Sequence, residues 1–577
     1  MKCARSSNAN VPGPVFTGWR RPPALLPSLL AVVGASLIAC GCVERREAPE
    51  SSQVAATTEG KPPEGAPLAD GTPPESARRA PRKQPSPENV EAQRAQVAAF
   101  CGDCHAVPHP ASFPKAAWYE EVQRGFDFYA ASGRHDLTVP GFQTVVNYFQ
   151  KDASEEITLA PLPEEATPSP VAFETTRAFL GEMPDNVFVS ALQWSTPAGG
   201  TPELFVCDMR MNRLAITRPD PAESVLQPVA TVLSPAHATP VDLDVDGQLD
   251  LVVSELGRFP PEDHSEGRIT WLRRTSDRQF EPIVLQAGMG RVADVQPADF
   301  DGDGDLDLVV AEFGWHSTGS ISLLENRAGS GERPQFELRK IDSRHGTIHV
   351  PVADLNGDGR PDFVAAISQE HETVEIFFSN GAGGFDRRKI FDAEDPSFGT
   401  SGIQLVDLDQ DGDLDVLHTN GDTFDSFYLK PNHGIRWLEN RGDGTFERHE
   451  LTPMAGVHRA LAGDLDGDGD LDIVACALFP RVLKGVPPAS GFASILWLEQ
   501  TAPGEFVRHT IERENCRHAA LELGDFDDDG CLDIAVAGFG ETPKEPALTI
   551  WWNRGKSGAT PAGPLEQVDK IRRSTNR

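Results

Sequence analysis

Phe100 is followed by Cys101-Gly102-Asp103-Cys104-His105. Two thiols separated by two residues, with an imidazole directly after, suit covalent attachment of haem c: each thiol bonds one vinyl group and His105 ligates the iron from the proximal side. A redox disulfide or half of a zinc site would use the same cysteine pair. Zinc would also need a second pair of ligands at suitable spacing, and none follows. No methionine lies between Cys101 and Glu155. The sixth iron ligand is therefore expected to be His135, in Ser132-Gly133-Arg134-His135, against the alternatives of a solvated loop histidine and an open iron. His109 lies only four residues after His105, on the proximal side. Either His/His ligation or an open site lowers the potential relative to His/Met.

A second pattern, D-x-D/N-x-D-G-x-x-D, recurs six times. Its ligand-type positions are Asp242, Asp244, Asp246 and Asp250; Asp299, Asp301, Asp303 and Asp307; Asp354, Asn356, Asp358 and Asp362; Asp407, Asp409, Asp411 and Asp415; Asp464, Asp466, Asp468 and Asp472; Asp525, Asp527, Asp529 and Asp533. Side-chain oxygens at positions 1, 3, 5 and 9, with a backbone carbonyl at 7, make an oxygen cage suited to Ca²⁺, and glycine at position 6 permits the sharp turn. The alternative is an acidic surface turn without metal, but three or four carboxylates in one loop repel one another strongly. Up to six Ca²⁺ are expected. They would offset part of a formal net charge of −35.

The elements that must position these loops are strands. Each loop runs into Leu-Asp-Leu-Val-Val or a similar run, which reads as a strand, and each period carries four strand signals. For one period these are Ala293–Phe300, Leu306–Glu312, Ser320–Glu325 and Phe336–Ile341. Four strands per repeat is the pattern of a propeller blade. The loops and strands resemble FG-GAP/VCBS repeats, the Ca²⁺-loop blades also found in integrin α-subunits, over residues 168–554. A loop-free set at Asn186–Trp194, Glu203–Cys207, Arg213–Thr217 and Val225–Leu233 makes a further blade, giving seven. The last blade, with strands at Ala519–Phe526, Leu532–Ala537 and Leu548–Trp552, lacks an outer strand, and Val171–Phe179 is expected to supply it and close the ring.

Residues 86–156 are expected to form a small all-α, cytochrome c-like domain. Its helices start at Ser86-Pro87-Glu88, where proline suits the first helical position, and lie around Lys115–Tyr129 and Gly141–Lys151. Upstream, Lys2, Arg5, Arg20 and Arg21 precede an apolar stretch too short for a confident membrane span. The stretch ends in Leu37-Ile38-Ala39-Cys40, which resembles a bacterial lipobox. The resemblance implies a lipoprotein signal at 1–42 with a lipid on Cys40, the alternative being an ordinary secretory signal. The protein is then exported and tethered to a membrane, facing the periplasm or the cell exterior. Residues 43–85 read as a disordered Pro/Glu/Ala-rich tether and 555–577 as a disordered tail. With 87 acidic against 52 basic residues, nucleic-acid binding is excluded.

The starts of the innermost strands line the channel mouth opposite the acidic loops. They supply His237, Arg291, His349, His458, Arg459, Arg517 and His518, a candidate anion or metal site set against the bland reading of a wet, polar channel. Cys207, Cys476, Cys516 and Cys531 read as small buried residues or one disulfide, with Cys476–Cys516 a conceivable pair. The combination resembles haem-plus-FG-GAP lipoproteins of environmental bacteria. It implies electron transfer, with the propeller docking an unidentified redox partner or substrate. The alternatives are a non-enzymatic binding or adhesion propeller with a structural or sensing haem, and an oxidoreductase with its active site at the mouth.

Overall fold

The computed structural model describes residues 87–556, apart from 163–168, 181–186, 198–199, 330–332, 382, 481, 486–490 and 541–544. Cys40, the signal and tether at 1–85 and most of the tail lie outside the described residues.

Seven four-stranded antiparallel blades form a ring. Within a blade the second strand is shielded on both sides by its neighbours, which explains runs such as Asp307–Glu312 and Asp472–Ala477 that bury almost every residue. The outer strands face water and are exposed or half-buried along their length, as in Phe336–Asp342. Apolar layers join adjacent blades. Val252, Trp271, Val295 and Leu308 pack together between blades 2 and 3, and Leu461, Val474, Trp497 and Ile534 between blades 6 and 7. The same kind of layer, with Leu192, Val206, Ala519 and Trp552, joins blade 7 to the loop-free blade 1.

Closure follows the expected route. Val171–Ala178 pairs antiparallel with Leu548–Lys556, in continuous register from Phe173 opposite Asn553 to Ala178 opposite Leu548, with an irregularity before Phe173 that sets Val171 opposite Lys556. The ring therefore joins the two ends of the propeller segment, and the last strand extends to Lys556, past the expected start of the tail. Blade 4 has a broken inner strand, Thr347–His349 and Val352–Ala353. Pro351 lies in the break and cannot donate to a ladder, while the Val350 N–H is used by Asp294 of blade 3, 2.9 Å away.

The N-terminal unit has three helices, α1 (Pro87–Cys101), α2 (Trp118–Ala131) and α3 (Phe142–Asp152). The second starts three residues later than the sequence pattern suggests, because Pro114–Ala117 forms a turn closed by the Ala117 N–H on the Pro114 carbonyl. Val97, Trp118, Val122, Val145, Val146 and Phe149 form a common core, with Trp118 stacked on Phe149 at 4.1 Å. Among the described residues, no helix is long and apolar enough to cross a membrane.

This unit docks on the propeller face opposite the acidic loops, because its contacts fall on the turns between second and third strands and on the connections between blades. Ser112 donates to Asp395, and Lys430 reaches the Ser112 carbonyl at 3.3 Å while lying 3.5 Å from the centre of the Phe113 ring. Phe113 meets Tyr428, and Phe128 meets His316 at 4.7 Å. Burial pulls the Lys430 ammonium below its ordinary pKa, against the upward pull of Asp425, Glu121 and Asp395. Lys430→Ala is expected to undock the helical unit, since it removes a buried charged hydrogen bond worth about 1.5–3 kcal/mol. Limited proteolysis between 153 and 170 should accelerate while the propeller's melting temperature holds; an unchanged cleavage rate would refute the docking role.

Candidate functional site

The acidic loops close the turn between first and second strands. Every sixth-position glycine adopts left-handed backbone, from φ 85° at Gly359 to 106° at Gly469, where a side chain would be strained. The first aspartate organises the loop: Asp299 accepts the N–H groups of Gly302, Asp303 and Gly304 at 2.7–3.1 Å. Carboxylate oxygens of Asp242, Asp244 and Asp246 lie within 4.8 Å of one another, and the same holds for Asp299, Asp301 and Asp303 and for Asp407, Asp409 and Asp411. Such hard, converging oxygens suit Ca²⁺.

The ninth-position aspartate has a job that spacing did not reveal. Asp307 accepts the Phe300 N–H on one oxygen and the Asn326 N–H on the other, tying its loop to the third strand. Asp362, Asp415, Asp472 and Asp533 repeat the arrangement with Leu355 and Ser379, Leu408 and Asn440, Leu465 and Gln500, and Phe526 and Asn553. Asp250 differs, binding the third strand through both oxygens, from the Arg274 N–H and the Trp271 indole. Each oxygen keeps a second lone pair for a cation. Burial pushes these carboxyls up, to about 6 at Asp250 and about 7 at Asp307, Asp415, Asp472 and Asp533. A bound cation would offset that cost. Basic side chains already lean on several loops, with Arg273 on Asp244 and Asp246, Arg554 on Asp527 and Lys556 on Asp466.

The residues expected at the mouth do not form one ring. Position −5 from the first loop aspartate holds His237, Asp294, His349 and Arg459 in blades 2, 3, 4 and 6, and all four are buried. His237 Nδ1 lies 3.8 Å from Asp294, and Arg459 donates to the Ile403 carbonyl at 2.7 Å. Burial drives the imidazoles to the neutral form: His237 falls to about 3, His458 to about 4, and His349 well below its ordinary value, each also opposed by the charge of Arg459. Glu522, at position −3 in blade 7, is buried within the field of Arg459. The remainder separate. Arg291 packs over Phe313, and His518 pairs with Glu512 on the outer strand of the preceding blade. Arg517 is part-exposed. Asp294 and Glu522 were missed because the sequence reading sought strand starts; the fixed offsets of −5 and −3 would have found both.

At the haem-type motif, Cys101 ends α1 and is half-buried, its thiol pushed up to about 11 by burial, while Cys104 is exposed. His105 Nδ1 lies 2.7 Å from the Ala106 carbonyl. Donating there leaves Nε2 for a metal. Phe100 packs on Phe126 and Tyr129. Arg134 contacts Cys104 Sγ at 3.3 Å and Asp103 at 2.6 Å, which brings the turn carrying His135 beside the motif. His109 is spent on capping, accepting the Ala111 N–H. The donor set of two thiols and one oriented imidazole fits covalent haem. Cys207, Cys476 and Cys516 are free buried thiols, so no Cys476–Cys516 bridge forms.

Fold and loops together define a seven-bladed β-propeller, and residues 242–310, 354–418 and 420–475 match the FG-GAP-like repeat family. Cartilage acidic protein 1 of Mus musculus is 23% identical over 276 residues, which is 45% of this chain and 40% of that protein. T-cell immunomodulatory protein of Mus musculus is 24% identical over 279 residues, 46% of this chain and 40% of that protein. The human cartilage acidic protein 1 is 22% identical over 275 residues, 44% and 39%. The chain thus spans about 40% of the length of these curated relatives.

Proposed function

We propose that this chain is an exported, non-enzymatic binding module that presents the propeller face opposite its acidic loops to a protein or glycan partner. The observation that carries this reading is the docking of the helical unit across that face, at His316, Asp395, Tyr428 and Lys430, which makes one composite surface from two units. The similarity to cartilage acidic protein 1 and T-cell immunomodulatory protein supports it. So does the channel, where Arg459 is countered by Asp294 and Glu522 among neutral histidines. Ca²⁺ in the six acidic loops would hold the turns of the opposite face. In this reading the lipid on Cys40 tethers the module to a membrane. The test is a screen of the full chain, in Ca²⁺, against glycan and extracellular-protein arrays. Binding should fall with Arg210→Glu or Glu394→Lys, both exposed on the presented face. A ligand bound through the acidic loops, or turned over, would overturn the reading.

A second reading, electron transfer, is favoured by Cys101, Cys104 and the orientation of His105. When bound, haem supplies a one-electron couple; Cys101 and Cys104 would hold it covalently and His105 would ligate it. Expression with a cytochrome c maturation system is expected to give a haem spectrum that survives acid denaturation and disappears in Cys101→Ala/Cys104→Ala. His135→Ala should shift the spectrum if His135 is the sixth ligand. A haem-free wild-type protein would rule out this reading and leave the binding module standing.

A further inference from the structure

The docked face carries a cluster of chemistry outside both patterns that the sequence shows. His345 lies in the connection between blades 3 and 4, and Glu370 and His371 lie in the turn between the second and third strands of blade 4. One ligand atom from each of the three falls within 4.8 Å of the others. The backbone is built for the convergence. Gly346, at φ 90°, donates to the Phe313 carbonyl and accepts from the Ser368 N–H, both at 2.8 Å, and a Cβ there would meet the Ser368 carbonyl at 2.6 Å. Left-handed φ at Gln369 (56°) and Glu372 (46°) bends the turn so that consecutive residues 370 and 371 serve one side. Space for the His345 side chain depends on Gly319, whose Cβ would sit 2.5 Å from that of His345.

We propose that His345, Glu370 and His371 form a binding site for a first-row divalent transition-metal ion, with Zn²⁺ the best chemical match. Two imidazoles and a carboxylate are a zinc donor set, and three protein ligands leave a fourth position open for water or a further ligand. The atoms are nearly in place. His345 Nε2 is 2.7 Å from Glu370 Oε1, and His371 Nε2 is buried with no hydrogen-bond partner in the structure. His345 Nε2 likewise has no well-aligned hydrogen bond despite its closeness to Glu370, so an ion of this class would take both groups along with the unpartnered His371 nitrogen. His316 flanks the cluster within the field of Glu370 and His345, and its ring makes tilted contacts with Trp315 and with Phe128 of α2. The site therefore lies at the junction with the helical unit. It stands independently of what the propeller binds and of the loop cations, which demand oxygen ligands.

The test uses the full chain with saturating Ca²⁺ and a Cys101→Ser/Cys104→Ser background, so that neither the acidic loops nor the motif thiols compete. Titration with Co²⁺ should give visible bands of low-coordinate imidazole and carboxylate ligation at one equivalent, without a thiolate charge-transfer band, and Zn²⁺ should displace them. His345→Ala/His371→Ala should weaken binding by more than about 100-fold, beyond the loss seen when only an outer partner of a metal site is removed. If that variant fails to fold, His371→Gln, which keeps the turn's backbone hydrogen bonds, decides. Bands that persist in the substituted proteins, or a folded parent that takes up no Co²⁺, would overturn the proposal.

Discussion

Chelation of divalent cations is expected to lower the melting temperature of the full chain steeply, and Ca²⁺ should restore it. A ligand that binds only the native state at 100 times its Kd adds about 2.7 kcal/mol per site. Two or three saturated loops would then supply an amount comparable to the whole stability of an ordinary domain, about 5–15 kcal/mol. The loops need this help. In blade 3, Asp299, Asp301 and Asp303 crowd together, and Asp305 is pushed up to about 6 by burial and by its neighbours' charge. Two substitutions separate cation binding from loop architecture. Asp301→Asn removes a cage charge, so it should lower the melting temperature in Ca²⁺ and change little in chelator. Asp307→Ala leaves the buried Phe300 and Asn326 N–H groups without acceptors, at about 1–3 kcal/mol each. It should destabilise the chain in both conditions. Equal melting temperatures with and without Ca²⁺ would remove the cation from the account.

Much of this architecture was legible because the chain repeats. The fixed loop signature set the blade count, and the missing outer strand of the last blade pointed to Val171–Ala178. What stayed hidden depends on residues far apart in sequence. Ser112 and Asp395 are 283 positions apart, and Lys430 is 318 from Ser112, so no local pattern marks the docking surface. The ninth loop aspartate looked like a cation ligand from spacing alone, yet its two hydrogen bonds also make it a structural clamp. At the mouth, the offset from the loop decides which side chains meet: His237, His349 and Arg459, five residues before the first loop aspartate, share a buried network, while Arg291 and His518, eight and seven residues before it, find other partners. The His345, Glu370 and His371 cluster escaped because it joins two different connections, and only the ring brings them together.

Loss of the closing strand should be the most damaging single truncation of the propeller. A chain beginning at residue 160 keeps Val171–Ala178; one beginning at residue 181 lacks it. The strand contributes a ladder to Leu548–Lys556, the bond from the Trp552 indole to Thr176 Oγ1 at 2.8 Å, and the pair Arg554–Glu174 at 3.1 Å. It also buries Val171 against Leu461 and Trp497 of blade 6. With each hydrogen bond worth about 0.5–1.5 kcal/mol net and one buried valine about 1.5–3 kcal/mol, the loss is of the order of the whole stability. It also opens the ring: Leu548–Lys556 becomes an unpaired edge, which invites pairing with another chain. The shorter chain should melt far lower and self-associate in sedimentation, while the longer one stays monodisperse. A peptide spanning 169–180, added in trans, should recover part of the melting temperature by filling the vacant edge. If both truncations melt alike, blade 7 is held by its three C-terminal strands alone and ring closure contributes nothing.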